Sequence, residues 1–296
     1  MWTLSRAPRR PHADHEDRTP THGYEPTREC AKRWGAIARR ALAGNCCGSK
    51  MRGDRAKHIM RAGESTLAKR PTPGKCVHCL KDPVERNWDH VFPKSWYPDS
   101  SPENQSKWQI PTCMPCNSEL GRIEEKFLRL VGLCLDPNDP ASRSIVQKAL
   151  RAYRPSAGKS DRDRNARATL RKRVLNEALE GAAVPQIGMY PGLGERWGRP
   201  QEDQLAVLVP EDSFRRLTEK IVRGIFYVED GKFIEPPFAV EFLALDPSNG
   251  KFVREVIDRF GATYAREPGV TVRRAVAPED GMSSMFEIEF WEQFKT

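Results

Sequence analysis

The chain has 296 residues, 38% hydrophobic and 30% charged, with 24 prolines, a formal net charge of +9 and a mean hydropathy of −0.67. That length suits one large or two modest domains, but the composition cannot fill a core from end to end, so part of the chain is expected to be tail or linker. Nothing approaches the roughly 18 consecutive apolar residues of a membrane span, and a basic balance of this size points towards a polyanionic partner.

The positive charge is clustered. Residues 1–75 carry 17 Lys/Arg against 7 Asp/Glu and residues 140–180 carry 11 against 4, whereas residues 201–296 carry 12 against 18. Two basic blocks therefore flank the middle of the chain and the final third is acidic. Clustering of this kind favours phosphate-backbone binding, because each neutralised phosphate releases condensed counterions. The opening stretch has Arg6, Arg9 and Arg10 with no apolar run behind them, so it does not read as a secretory leader. A cytoplasmic, reducing location is expected, and there cysteines serve as metal ligands more often than as disulfides.

In chain order, residues 1–27 are rich in Pro, Arg and His without periodicity and read as disordered. Helical spacing of Cys30, Trp34, Ile37, Ala41 and Leu42 predicts a helix over 27–43, and a second, shorter one is expected over 54–61. Leu120, Ile123, Phe127, Leu130 and Val131 share one face of a helix predicted over 119–133, which Pro137 and Pro140 terminate. Two basic helices are expected over 143–153 and 162–180. A Gly- and Pro-rich stretch, 181–200, reads as a linker. Beyond it come strands over 205–209, 233–234, 238–245, 270–277 and 285–291, with helices over 213–228 and 249–260. The fold class is thus α+β in five parts: a basic N-terminal arm (1–70), a cysteine module (71–135), a basic helical extension (136–180), a linker (181–200) and a separate acidic α/β C-terminal domain (201–296).

The cysteine module carries the chemistry. Cys76-Val77-His78-Cys79 and Cys113-Met114-Pro115-Cys116 are two knuckles in which two intervening residues let one turn present both sulfurs to a single ion. Paired knuckles complete a tetrahedral zinc site. The 33 residues between them exceed the roughly 15–20 of a plain zinc ribbon, so the loop houses something more. Cys30, Cys46, Cys47 and Cys134 form no spaced set and read as buried or free thiols.

The insertion reads Trp88-Asp89-His90-Val91-Phe92-Pro93-Lys94-Ser95, and Asn117 follows the last cysteine directly. With the knuckles and Gly121, these residues resemble the HNH endonuclease family, whose pattern is CxxC, Asp-His-hydrophobic-x-Pro-x-Ser, then CxxC followed by Asn or His. The resemblance covers about 55 of the 296 residues. It implies a small ββα-metal module stapled by structural zinc, with strands over 88–92 and 108–112 and a helix from near Pro115. It also implies hydrolysis of phosphodiester bonds of nucleic acid, foremost DNA. In that reading His90 is the general base, while Asp89 and Asn117 hold a catalytic Mg²⁺ or Mn²⁺. The pattern's central Asn falls at Trp108 here, and Asn104, or less favourably Gln105, takes its place as the brace of the His90 loop. Its usual basic residue after the last cysteine is Leu120, with Arg122 or Lys126 to compensate.

Elementary chemistry agrees with those roles. Phosphodiester hydrolysis needs a base for water and a cation for phosphoryl charge, and imidazole is neutral enough near pH 7 to accept the proton. Adjacent strand residues face opposite ways, so Asp89 and His90 can share a crevice only at a bulge or a strand end. Two other readings stand beside the nuclease. One is a catalytically degenerate zinc-dependent nucleic-acid-binding or regulatory protein. The other gives the C-terminal domain a partner protein or ligand through which it governs the nuclease, as a defence system would require.

Overall fold

The structure, a computed structural model, describes residues 70–103, 107–183, 200–241, 247–266, 269–277 and 280–295. The expectations for the arm up to residue 69, for Asn104 and for most of the linker lie outside these residues.

The first knuckle is closed by reciprocal backbone hydrogen bonds between Gly74 and Val84 and by Leu80 donating its N–H to the Cys76 carbonyl at 3.0 Å, with Leu80 itself at φ 62. Two strands follow, β1 (Arg86–His90) and β2 (Gln109–Cys113), paired antiparallel from Arg86↔Cys113 to His90↔Gln109. Helix α1 (Met114–Val131) starts one residue after β2, with Pro115 in its first turn, where the missing N–H costs no helical bond. Leu120, Phe127, Leu128 and Val131 form its buried stripe. Both strands are displaced by a residue or two from their expected bounds, and α1 begins where the HNH resemblance implies.

Helices α2 (Arg143–Ala152) and α3 (Asp161–Glu177) follow. The first buries Ile145, Val146 and Ala149, whereas α3 buries nothing. Its stability is local: the Ser160 hydroxyl caps the Asp163 N–H, and Asp161 and Asp163 sit at the positive end of the helix dipole. A short pair, β3 (Leu179–Glu180) and β4 (Leu205–Ala206), precedes the long helix α4 (Glu211–Asp230), which ends on Gly231 in the left-handed region. Helix α5 (Pro247–Phe260) leads into an antiparallel sheet of β5 (Ala262–Arg266), β6 (Val270–Ala277), β7 (Asp280–Phe290) and β8 (Phe294–Lys295).

The expected strand at 233–234 and the described part of the one expected at 238–245 differ from what is seen: residues 233–241 form no strand, and 242–245 lie outside the described residues. Pro236 and Pro237 have no N–H to give a ladder, and the Ile234 carbonyl is taken by Arg223 at 2.9 Å instead. Conversely, β5 has no counterpart among the expected elements, because its Ala-Thr-Tyr-Ala-Arg sequence carries no apolar alternation.

The core does not divide at 181–200. One hydrophobic cluster joins Val77, Val91, Trp96, Ile110, Phe127 and Ile145 to Phe214, Ile221, Ile225, Val272, Phe290 and Trp291. At its centre, the Trp96 ring lies 5.1 Å from Phe127, 5.6 Å from Phe290 and 5.9 Å from Trp291, and Phe127 meets Phe214 edge-on at 4.8 Å. Polar ties cross the same boundary. Lys75 pairs with Glu235 at 2.6 Å and Arg216 with Glu119 at 3.0 Å, while Gln293 donates to Asp139 at 3.0 Å. The acidic C-terminal segment is therefore packed on the cysteine module. Its helical face (Phe214, Leu217, Ile221, Ile225) is apolar because it covers that module.

Candidate metal centre and active site

The four knuckle cysteines meet. One ligand atom from each of Cys76, Cys79, Cys113 and Cys116 lies within 4.8 Å of the others, and Cys79 Sγ is 3.7 Å from Cys113 Sγ. Tetrahedral zinc with Zn–S near 2.3 Å requires S···S separations of roughly 3.8 Å, so the spacing suits that ion. Two backbone contacts build the cluster. Val77 donates to the Pro111 carbonyl at 3.2 Å, pinning the first knuckle to β2, and the Cys113 N–H points at Cys76 Sγ at 3.4 Å. Burial and the neighbouring sulfurs push the Cys116 thiol well above its ordinary value. Thiols crowded like this can all ionise only around a cation. Cys134 stands apart, with its thiol directed at the Leu130 carbonyl.

Asp89 and His90 occupy the end of β1, and their register with β2 is unbroken up to His90. The strand ends at His90, without a bulge. Asp89 is 9% exposed and turned into the protein. Lys220, from the middle of α4 and itself 1% exposed, sets its ammonium 3.1 Å from Asp89 Oδ1 and 3.1 Å from Oδ2. The same ammonium donates to Glu124 of α1. On the other side, His78 Nε2 lies 3.8 Å from Asp89 Oδ2. Burial works against ionisation of Asp89, but His78 and Lys220 outweigh it and hold the carboxyl below its usual value. Burial raises the Glu124 carboxyl despite Lys220 and lowers the His78 imidazole despite Asp89.

His90 is half-buried and its Nδ1 has no hydrogen-bond partner among the described residues. Burial lowers its pKa; Asp89 opposes that, while Lys220, Lys94 and Lys107 reinforce it. The surroundings therefore favour the neutral form of the ring. Asn117 is half-buried in the first turn of α1, and seven residues on, two turns along the same face, stands Glu124. Trp108, at the position of the family's central Asn, hands its carbonyl to the Val91 N–H at 3.0 Å, so the backbone braces the His90 loop here.

Sequence reasoning missed Lys220, Glu124 and the ionic use of His78. The position of Glu124 was legible from its spacing to Asn117. Nothing local marks Lys220, which lies 131 residues from Asp89. Another close approach accompanies it one helical turn on: a Cβ on Gly224 would stand 2.8 Å from both Val91 methyl carbons, so α4 lies directly on the segment that follows His90.

Among the described residues no helix is long and apolar enough to cross a membrane. The chain matches no family model, no curated protein and no solved structure.

Proposed function

We propose that this chain is a zinc-stapled nuclease of the HNH type, hydrolysing phosphodiester bonds of nucleic acid, DNA foremost. One observation carries the reading: a two-stranded hairpin runs straight into a helix across a four-cysteine cluster, and a half-buried His90, its buried Nδ1 unbonded and its surroundings favouring the neutral ring, stands at the strand's end. In this reading the imidazole removes a proton from the attacking water. Lys94 and Lys107, whose charges reach His90, provide a positive field for the phosphate.

Zinc fits Cys76, Cys79, Cys113 and Cys116, and its contribution there is folding free energy rather than catalysis. A Mg²⁺ or Mn²⁺ held by Asp89 and Asn117 does not fit the arrangement, because both Asp89 oxygens already face the Lys220 ammonium. No step is assigned to such an ion. The same ion pair favours a second reading, a zinc-dependent nucleic-acid-binding protein that no longer cuts.

Plasmid digestion separates the two. Wild type and His90→Ala, matched for zinc content and folding, are incubated with supercoiled DNA with and without Mg²⁺ or Mn²⁺. Conversion to nicked or linear DNA by wild type alone supports the nuclease. Binding with no conversion by either protein supports the non-cutting reading.

A further inference from the structure

Four ionisable side chains, one each from the first knuckle, β1, α1 and α4, lie close together, shut away from water. The side chains of Lys220, His78, Asp89 and Glu124 are 1%, 7%, 10% and 14% exposed. Lys220 contacts both carboxylates, with its ammonium 3.1 Å from each Asp89 oxygen. His78 aims Nε2 at Asp89 Oδ2 across 3.8 Å, and that nitrogen has no hydrogen-bond partner among the described residues. Two carboxylates, one from a strand and one from a helix, converge on one point, as they would around a divalent ion such as Mn²⁺. Here they are gathered at a buried ammonium.

Electrostatics explains why only one cation fits. Two buried carboxylates without a cation are strongly unfavourable, and one ammonium together with a protonatable Glu124 relieves that. A divalent ion added beside the ammonium would meet a like charge at a few ångströms in a poorly screened interior. We propose that Lys220 is the resident cation of this pocket: its ammonium takes the divalent ion's place on Asp89 and excludes that ion from the wild-type chain. Removing the ammonium opens a Mn²⁺ site built from Asp89 and Glu124. The proposal rests on the HNH reading only for the choice of Asp89 as the ligand position. Its readout, metal uptake, requires no cleavage.

The test uses the full, zinc-loaded chain titrated with Mn²⁺, following free Mn²⁺ by electron paramagnetic resonance. Wild type and Asp89→Asn should take up Mn²⁺ identically. Lys220→Gln and Lys220→Met should gain one ion per chain, bound at least about tenfold tighter than any wild-type uptake, and Lys220→Gln combined with Asp89→Asn should lose it again. A Mn²⁺ ion in the wild type that Asp89→Asn removes would overturn the proposal. So would Lys220→Gln and Lys220→Met proteins with native zinc content and circular dichroism that gain no ion. Should neither Lys220 variant fold, the comparison of wild type with Asp89→Asn decides: Asp89-dependent uptake overturns the proposal and its absence supports it. Plasmid cleavage bears only on the nuclease reading, so the two can fail separately.

Discussion

Trp291 donates its indole N–H to the backbone carbonyl of Trp96 at 2.9 Å, joining the end of β7 to the loop that follows His90 across 195 residues of sequence. Both rings are fully buried, and Trp291 sits at φ 49, in the left-handed region. The contact makes the C-terminal strands part of the cysteine module's support. Replacing Trp291 with Ala should cost about 3–5 kcal/mol, as expected for a large buried ring. Chemical denaturation should show one transition moving to lower denaturant. A second, unshifted transition from an independently folding cysteine module would contradict the shared core.

Zinc removal should unfold the part of the chain that zinc staples. Elemental analysis is expected to find close to one zinc per chain held by Cys76, Cys79, Cys113 and Cys116. Cys113→Ser should lose it and melt at lower temperature, because metal binding supplies folding free energy. Normal zinc content and melting in Cys113→Ser would refute the ligand assignment.

Gly224→Ala should be destabilising although alanine is the better helix former. The added methyl would meet Val91 at 2.8 Å, and overpacking of this kind typically costs about 1–3 kcal/mol. The Val91→Ala change should recover part of that stability in the double variant, giving a coupling that two distant sites would not show. Additive effects would mean that α4 does not lie on Val91.

The pH dependence follows from His90. Burial lowers its pKa below the ordinary imidazole value near 6.5, so the base form survives into more acidic solution than a free imidazole would allow. Cleavage should therefore hold through pH 6.5 and fall only below it, and His90→Ala should lose about 10² to 10⁴-fold in rate, the usual worth of a general base. Stability carries the matching sign. Between the unfolded and folded pKa values only the unfolded chain gains the proton, so acidification below about 6.5 should cost stability. A rate that declines above pH 6.5, or persists in His90→Ala, would place the chemistry elsewhere.

The basic helix α3 should contribute sequence-independent affinity. Arg164 and Arg167 are already paired with Asp161 and Asp163 at 2.6 and 2.9 Å. Arg162, Arg171, Lys172 and Arg173 make no such pairs among the described residues, so they are the groups to neutralise. Doing so should flatten the dependence of log K on log[salt] by up to about 0.9 for each phosphate that the helix no longer neutralises. An unchanged slope would mean that α3 is ordinary solvated surface.

Local physics made much of this legible in the sequence. The two knuckles predicted their own convergence because two-residue spacing sets both sulfurs on one turn. The apolar stripe from Leu120 to Val131 placed α1, and the strand expected at 270–277 is β6. The sequence left a bulge or a strand end open for Asp89 and His90 in a strand expected over 88–92, and the strand ends at His90. What only the tertiary structure decided was the fate of the Asp89 charge. Its partner comes from a helix 131 residues away, and a single lysine in an amphipathic helix carries no periodicity that marks it as buried. The packing partner of the C-terminal apolar face was hidden for the same reason. Hydrophobic burial is non-directional, so an apolar face in the sequence says that it will be covered but not by what. Here Phe214, Leu217 and Ile221 cover the cysteine module, and that choice brings Lys220 to Asp89.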